Sequence, residues 1–315
     1  MEVVRNINKI EKEPNSIVTV GVFDGVHVAH QEILRRMKEE KLKTGARTVL
    51  VTFDPHPQEV LHPKEKFYIL TTIDERIELL SDYDLDIIFV VNFTSEFSNI
   101  TAEEFCRDIM LGKIGLRKVI VGYNHAFGRN REGNPEKLKE FGEKYGFEVE
   151  LIPQLLVENN PVSSSKIRAI LNEGDVKLAS RLLGRYYFIN GVVVKGSGRG
   201  REIGIPTANI EPVSSRKLIP KNGVYVVRVT IDRKPYFGVM NIGYRPTFEL
   251  DSRRVMEVNI FNFESEIYFK HIKVEFIERL RDEMKFPSPK ELVDQIKKDK
   301  EMALEFITRE FAVEI

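Results

Sequence analysis

Residues 21–30 read GVFDGVHVAH, an Asp-Gly turn followed by two histidines three positions apart, His27 and His30. The run IVTVGVF at residues 17–23, which leads into it, is β-branched and apolar, as in a buried parallel strand. From Gln31 onward Ile33, Leu34 and Met37 recur at helical spacing. The segment is therefore expected to run strand, turn, helix. In open α/β sheets ligands lie beyond the carboxyl ends of the strands, and a helix start presents free backbone N–H groups and a positive dipole end to an anion. Imidazoles beside such an anion can donate hydrogen bonds to phosphoryl oxygens whose charge grows during transfer, which is electrostatic stabilisation rather than covalent catalysis. The same HxxH pattern is also what two helix-capping or surface histidines look like. Metal binding is the weaker reading, because no Cys or further His stands close by in sequence to complete a ligand set.

Three further segments of the first half carry chemistry at expected strand ends. FDPHP, residues 53–57, turns sharply out of a strand and offers an aromatic ring with rigid apolar surface. VGYNHAFGRNREGN, residues 121–134, brings Asn124, Phe127 and Arg129, and VSSSKIRAIL sets Ser163, Ser164 and Ser165 ahead of a helical run bearing Lys166 and Arg168. Hydroxyls and amides at a helix start, with an arginine one turn in, suit a triphosphate. Each segment taken singly is as readily a proline-stiffened loop, a glycine turn or a serine N-cap.

In the second half GSGRGREIGIPTAN, residues 196–209, has the spacing of a dinucleotide-binding glycine loop but not its context, since Pro206 interrupts any helix and residues 203–210 read as loop and strand. A loop with Gly196, Gly198 and Gly200 can instead fold over a nucleotide and offer backbone N–H groups to phosphates. Thr207 and Asn209, alternate residues in extended chain, present two oxygens on one side. That suits Mg²⁺, and a plain Thr-Asn turn suits the pattern equally. In RRVMEVNIFNF the alternation puts Met256, Val258 and Ile260 on one face and Glu257 and Asn259 on the other, where a glutamate is ordinarily just solvated.

The supporting secondary structure falls into two kinds. Strands are expected at residues 17–23, 48–53, 87–91, 118–121 and 148–152, with helices near 31–43, 74–81, 102–111 and 135–145, the alternation of a parallel sheet covered on both faces. From about Tyr186 short alternating runs separated by Gly, Pro, Asn and Asp point to an antiparallel barrel. A closing helix is marked by Ser288 as N-cap, Pro289 and Glu291, with Leu292, Ile296, Ala303, Phe306 and Phe311 as a core-facing stripe. The domain boundary is placed at 184/185. With 48 basic and 48 acidic side chains the chain lacks the basic excess of a dedicated nucleic-acid binder. The one cysteine, Cys106, sits in an amphipathic run and is read as packing; it rules out an internal disulfide framework and fits a reducing, cytoplasmic setting. No apolar run approaches the ~20 residues of a membrane span, and the first residues lack the apolar core of a signal peptide. Oligomeric state is left open.

Together the four segments of the first half, in this order and spacing, resemble the nucleotidyltransferase module of prokaryotic bifunctional riboflavin kinase/FAD synthetases. GSGRGREIGIPTANI, PKNGVYVVRV, GVMNIGYRPTF, MEVNIF and RLRDEMKF resemble the riboflavin kinase module that follows it in the same family. The resemblance implies a Rossmann-like α/β nucleotidyltransferase domain with a parallel sheet (1–184). It also implies a six-stranded antiparallel Greek-key β-barrel kinase domain with a C-terminal helix (185–315). It implies phosphorylation of riboflavin to FMN by the second domain and adenylylation of FMN to FAD with release of pyrophosphate by the first, with ATP as co-substrate, Mg²⁺ as cofactor and small molecules as the only partners. A kinase whose transferase domain is degenerate and serves flavin binding or regulation is the alternative.

By the same resemblance His27 and His30 stabilise adenylyl transfer. Gly21, Phe23, Asp24, Gly25, Phe53, Pro55, Pro57, Asn124, Phe127, Arg129, Ser163, Ser164, Ser165 and Arg168 bind ATP or FMN. Glu257 is the base of the kinase, Thr207 and Asn209 are its metal ligands, and Gly196, Gly198, Gly200, Arg201, Gly204, Pro206, Asn241 and Arg281 bind its substrates. The chain departs from the family pattern at Ala29 and Phe269, where relatives commonly have glycine, and at His125, where many have phenylalanine.

Overall fold

The computed structural model describes residues 1–196, 204–244 and 254–312. The chain divides into two compact units, Met1–Ser164 and Ser165–Ile315. In the first, strands β1 (Glu2–Val4), β2 (Ser16–Val20), β3 (Arg47–Asp54), β4 (Ile87–Asn92), β5 (Leu116–Gly122) and β6 (Glu148–Ile152) form one parallel sheet in the order β1-β4-β3-β2-β5-β6. The chain moves outward from β2 through β3 to β4 and then returns to the other side of β2 for β5. The order therefore reverses between β2 and β5, and the crevice beyond their carboxyl ends is where such sheets take ligands.

Helices α1 (Val28–Thr44), α2 (Pro57–Leu61) and α3 (Ile73–Leu80) follow β2 and β3. A single α-turn, α4 (Ala102–Glu104), runs on as a π-helix through Phe105–Ile114, and α5 (Pro135–Tyr145) precedes β6. One face of the sheet packs Val18, Val51, Phe89 and Val119 against Phe105, Met110, Leu138 and Phe141. The opposite face packs Ile17, Leu50, Ile88 and Ile120 against Leu34, Met37 and Leu80. Cys106 is fully buried in the first cluster, and burial pushes its thiol pKa up to about 12, as a packing residue requires.

Two expectations need correction. The first strand stops at Val20, not Phe23, because Phe23 (φ 54°), Gly25 (φ 83°) and Val26 (φ 39°) all take left-handed backbone and the Phe23 ring is folded back into the core. Helix α1 starts three residues earlier than its apolar spacing shows, because His27 caps it. Strand β1 and the hairpin β7 (Leu156–Val157) with β8 (Asn160–Pro161) are too short to register as periodic patterns.

After α6 (Ser164–Glu173) and α7 (Val176–Leu183) the second unit closes a six-stranded antiparallel barrel. Its strands are β9 (Tyr187–Val194), β10 (Ala208–Pro212), β11 (Gly223–Ile231), β12 (Lys234–Tyr244), β13 (Arg254–Ile260) and β14 (His271–Arg281), arranged β10-β13-β12-β11-β14-β9. Helix α7 packs on β9 and β14. Helix α8 (Pro289–Phe311), capped by Ser288 as expected, seats Ala303 and Ile307 against Val226, Phe261 and Ile277 on the barrel's outer surface.

Phe269 holds left-handed backbone (φ 64°) in the turn before β14, with 68% of its surface exposed. A side chain there costs ~1–2 kcal/mol that glycine avoids. Phe269→Gly should therefore stabilise the barrel by about 1 kcal/mol, read as a higher urea midpoint at unchanged slope. An unchanged or lower midpoint would show that the exposed ring makes contacts worth the strain.

Candidate functional sites

In the first unit the β2–α1 turn stands at the sheet's reversal point. His27 caps α1 by accepting, at Nδ1, the backbone N–H of His30 at 3.3 Å. An Nδ1 that accepts places the ring proton on Nε2, so Nε2–H is a donor. The two imidazoles stack, centroids 3.6 Å apart and 12° from parallel, and the Phe23 ring backs His30 at 4.6 Å. His27 is buried and His30 half-buried. Ala29 lies on the first turn of α1 between them, half-buried.

The rest of the turn is tied down from below. The Asp24 carboxylate is buried and accepts the backbone N–H groups of Leu70 (3.0 Å) and Thr71 (2.9 Å) and the Thr71 hydroxyl, while Gly25 N–H donates to that same hydroxyl. Ser164 donates its hydroxyl to the Asp24 carbonyl at 2.8 Å. Asp24 and Ser164, both expected to bind nucleotide, are thus seen shaping the turn. A Cβ at Gly21 would stand 3.2 Å from the Phe23 ring.

Phe53, at the end of β3, forms an aromatic wall with Phe93 (5.6 Å) and Phe97 (6.2 Å), two residues that the sequence reading missed. Pro55 follows a cis peptide bond, and Pro57 opens α2 beneath the cap made by His56. In the β5–α5 loop Asn124 and Arg129 are exposed. Phe127 is instead packed among Phe105 and His125, its backbone bridged to Gly133. Burial, aided by the Arg131 charge, pulls the His125 pKa down to about 4, so this imidazole is neutral at physiological pH. Ser163 is half-buried, and Ser165 (exposed) and Arg168 (half-buried) lie on the first turns of α6.

In the second unit the barrel register builds the other constellation. Glu257 on β13 is paired directly with Asn209 on β10 and with Asn241 on β12. Asn241 pairs onward with Val224, and Val224 with Arg281. Directly opposed residues share a face with Cβ atoms about 5 Å apart, so Asn209, Glu257, Asn241, Val224 and Arg281 occupy one row across the outside of the barrel, with the buried Val224 between Asn241 and Arg281. Met256 and Val258, flanking Glu257, fill its interior. Arg281 is held by Asp299 of α8 through two bonds of 2.8 and 2.6 Å.

Thr207 is exposed just ahead of β10, two residues from Asn209. Gly196 makes room for the Asn209 amide, since a Cβ at 196 would stand 2.1 Å from its Nδ2. Gly204 takes left-handed backbone and the Pro206 carbonyl accepts from Asn259 at 2.8 Å. Gly198, Gly200 and Arg201 lie outside the described residues. Among the described residues no three His, Cys, Asp or Glu side chains group as a metal site. The oxygens of Thr207 and Asn209 do fit a hard divalent cation that arrives with phosphates and water as its remaining ligands.

Comparison with known proteins covers both units. The family model for FAD synthetase matches residues 9–166 and that for riboflavin kinase matches residues 183–307. A bifunctional riboflavin kinase/FMN adenylyltransferase of Buchnera aphidicola (subsp. Schizaphis graminum) is 39% identical over 97% of this chain and 99% of its own length. Those of Bacillus subtilis and Escherichia coli K12 are 34% and 33% identical over 95% and 97% of this chain, covering 94% and 98% of their own. A crystal structure from Streptococcus pneumoniae, described as a macrolide-efflux protein, superposes with a TM-score of 0.87 at 33% identity over 98% of each chain. No helix among the described residues is long and apolar enough to cross a membrane.

Proposed function

The chain belongs to the bifunctional riboflavin kinase/FMN adenylyltransferase family, converting riboflavin to FMN and FMN to FAD with ATP, and we propose that two separate sites do so, each matched to its nucleophile. The transferase occupies residues 1–184 and works at the β2–α1 turn; the kinase occupies 185–315 and works on the row across the barrel.

The observation that carries this reading is the contrast in carboxylates. In the barrel Glu257 stands in the row half-buried, directly between Asn209 and Asn241. In the β2–α1 turn the one carboxylate, Asp24, is buried beneath the loop and occupied by Leu70 and Thr71. Riboflavin's 5′-hydroxyl must lose a proton as its oxygen bonds to the γ-phosphorus and the bond to ADP breaks, so a base is needed, worth roughly 10²–10⁴ in rate. Glu257 takes that proton. The FMN phosphate that attacks the α-phosphorus of ATP is already an anion, and pyrophosphate leaves without a proton being drawn from the nucleophile.

In the transferase, His27 Nε2–H and the N–H groups opening α1 donate to the phosphate oxygens, with His30 stacked behind to hold the ring. Asn124, Arg129, Ser163, Ser165 and Arg168 bind the nucleotide, and Phe53, Pro55 and Pro57 wall the pocket. Gly21, Phe23, Asp24, Gly25 and Ser164 give the turn its shape, and Phe127 supports the wall from the core. In the kinase Asn241, Arg281, Gly196, Gly204 and Pro206 shape the substrate site, with Thr207 and Asn209 holding Mg²⁺. The cation, when bound, neutralises phosphate charge. We place the enzyme in the cytoplasm, where ATP is supplied.

Purified protein given riboflavin, ATP and Mg²⁺ should yield FMN and then FAD, separable by chromatography. FMN alone would leave a kinase with a degenerate transferase domain, and neither product would sink the reading.

A further inference from the structure

Arg76, on α3, is 2% exposed and plays no part in either site described above. Its Nη1 donates to the Thr52 hydroxyl at 2.9 Å and to the Phe53 carbonyl at 3.1 Å, both at the carboxyl end of β3. The Thr52 hydroxyl in turn donates to the Val22 carbonyl, inside the β2–α1 turn, at 2.8 Å. A guanidinium keeps its charge in proteins. Burial lowers its pKa and the charges of Asp24, Asp54 and Glu59 raise it. Among the described residues its Nε has no hydrogen-bond partner. A buried cation pays a desolvation cost that its few hydrogen bonds repay only in part. Its position is more telling. It joins the segment that carries the two histidines to the segment that opens the FDPHP loop, through one intermediate hydroxyl.

We propose that Arg76 is a positioning residue for adenylyl transfer, holding the β2–α1 turn in register with the carboxyl end of β3 through Thr52 and Phe53. This rests on the transferase reading given above. Val22 lies five residues before His27 and Phe53 is itself part of the aromatic wall, so beyond the main-chain pairing of β2 with β3, which ends with the Gly21 N–H on the Val51 carbonyl, this side chain ties the two walls of the crevice together. Misplacement of reacting groups by an ångström can cost up to about a hundredfold in rate without weakening binding much. The signature is therefore a fall in kcat rather than a rise in KM.

The test uses the intact chain, whose kinase reaction is an internal control. Arg76→Met should lower kcat for FAD formation from FMN by roughly ten- to a hundredfold, with KM for ATP within about threefold. Riboflavin phosphorylation should stay at the wild-type rate, and the melting temperature should fall only as far as one lost hydrogen bond to the Phe53 carbonyl requires, leaving the chain folded at the assay temperature. Thr52→Val, which removes the intermediate hydroxyl while keeping the shape, should give a loss of similar kind. The double variant should be no slower than the worse single one, because both cut the same link. Arg76→Lys, with charge and one donor retained, should recover most of the rate. Wild-type kcat in Arg76→Met, or fully multiplying losses in the double variant, would overturn the proposal. So would a fall in melting temperature that accounts for the lost activity. Should the wild-type chain itself make no FAD from FMN, it is the transferase assignment that fails, and the comparison of variants is not reached.

Discussion

Replacing Glu257 by glutamine is expected to cut FMN formation by at least about 10²-fold while FAD synthesis from supplied FMN continues at the wild-type rate. The substitution keeps the shape of the side chain and its place between Asn209 and Asn241, so substrate binding and the barrel's packing should survive. What it removes is the negative charge and basicity of the carboxylate, and with them the means of taking a proton from riboflavin's hydroxyl in the transition state. The loss should appear in kcat, with KM for riboflavin little changed, because the interaction is made only as the proton moves. Parallel assays of the two reactions on one preparation decide it. Loss of both activities together would mean that the sites are not separate, and full retention of kinase activity would remove Glu257 from the mechanism.

The converse change acts on the histidines. His27→Ala with His30→Ala should leave a competent kinase that stops at FMN. Loss of one preorganised donor to a developing charge costs about 10²–10³ in rate. His27 has a second role as N-cap, so its truncation to alanine also costs the helix about 1 kcal/mol. His27→Asn separates the two, since asparagine is among the best N-caps yet carries no donor where Nε2–H stands. If the imidazole serves the chemistry, His27→Asn makes FAD as poorly as the alanine variant while melting like the wild type. FAD synthesis at the normal rate in either variant would defeat the assignment.

Much of the fold was legible because its signals are local. Asn134, Pro135 and Gly146 mark α5 at both ends, and the helix spans the expected residues. The alternation around Glu257 correctly divided the strand into an inner and an outer face, since the period of two follows from backbone geometry alone. The end of the first strand lacks such a signal. Val22 and Phe23 continue an apolar run, and nothing in composition says that the chain reverses into left-handed backbone after Val20 and tucks the ring into the core. Arg76 carries no local signal, because a charged residue in a helical run ordinarily faces water and its partners lie 23 and 24 residues away.

The types of group available to each reaction follow from the order of residues alone: two imidazoles at a helix start, a glutamate on an alternating strand, and oxygens at Thr207 and Asn209. They do so because motif spacing and helix capping are properties of neighbouring residues. Which of these groups meet is set by the folded chain. Asn209, Glu257 and Asn241 stand in one row because three strands pair in a particular register. Asp24 is withdrawn beneath its own turn because Leu70 and Thr71, 46 and 47 residues away, present their N–H groups to it. Register and burial are collective outcomes of packing, and no local run of residues encodes them.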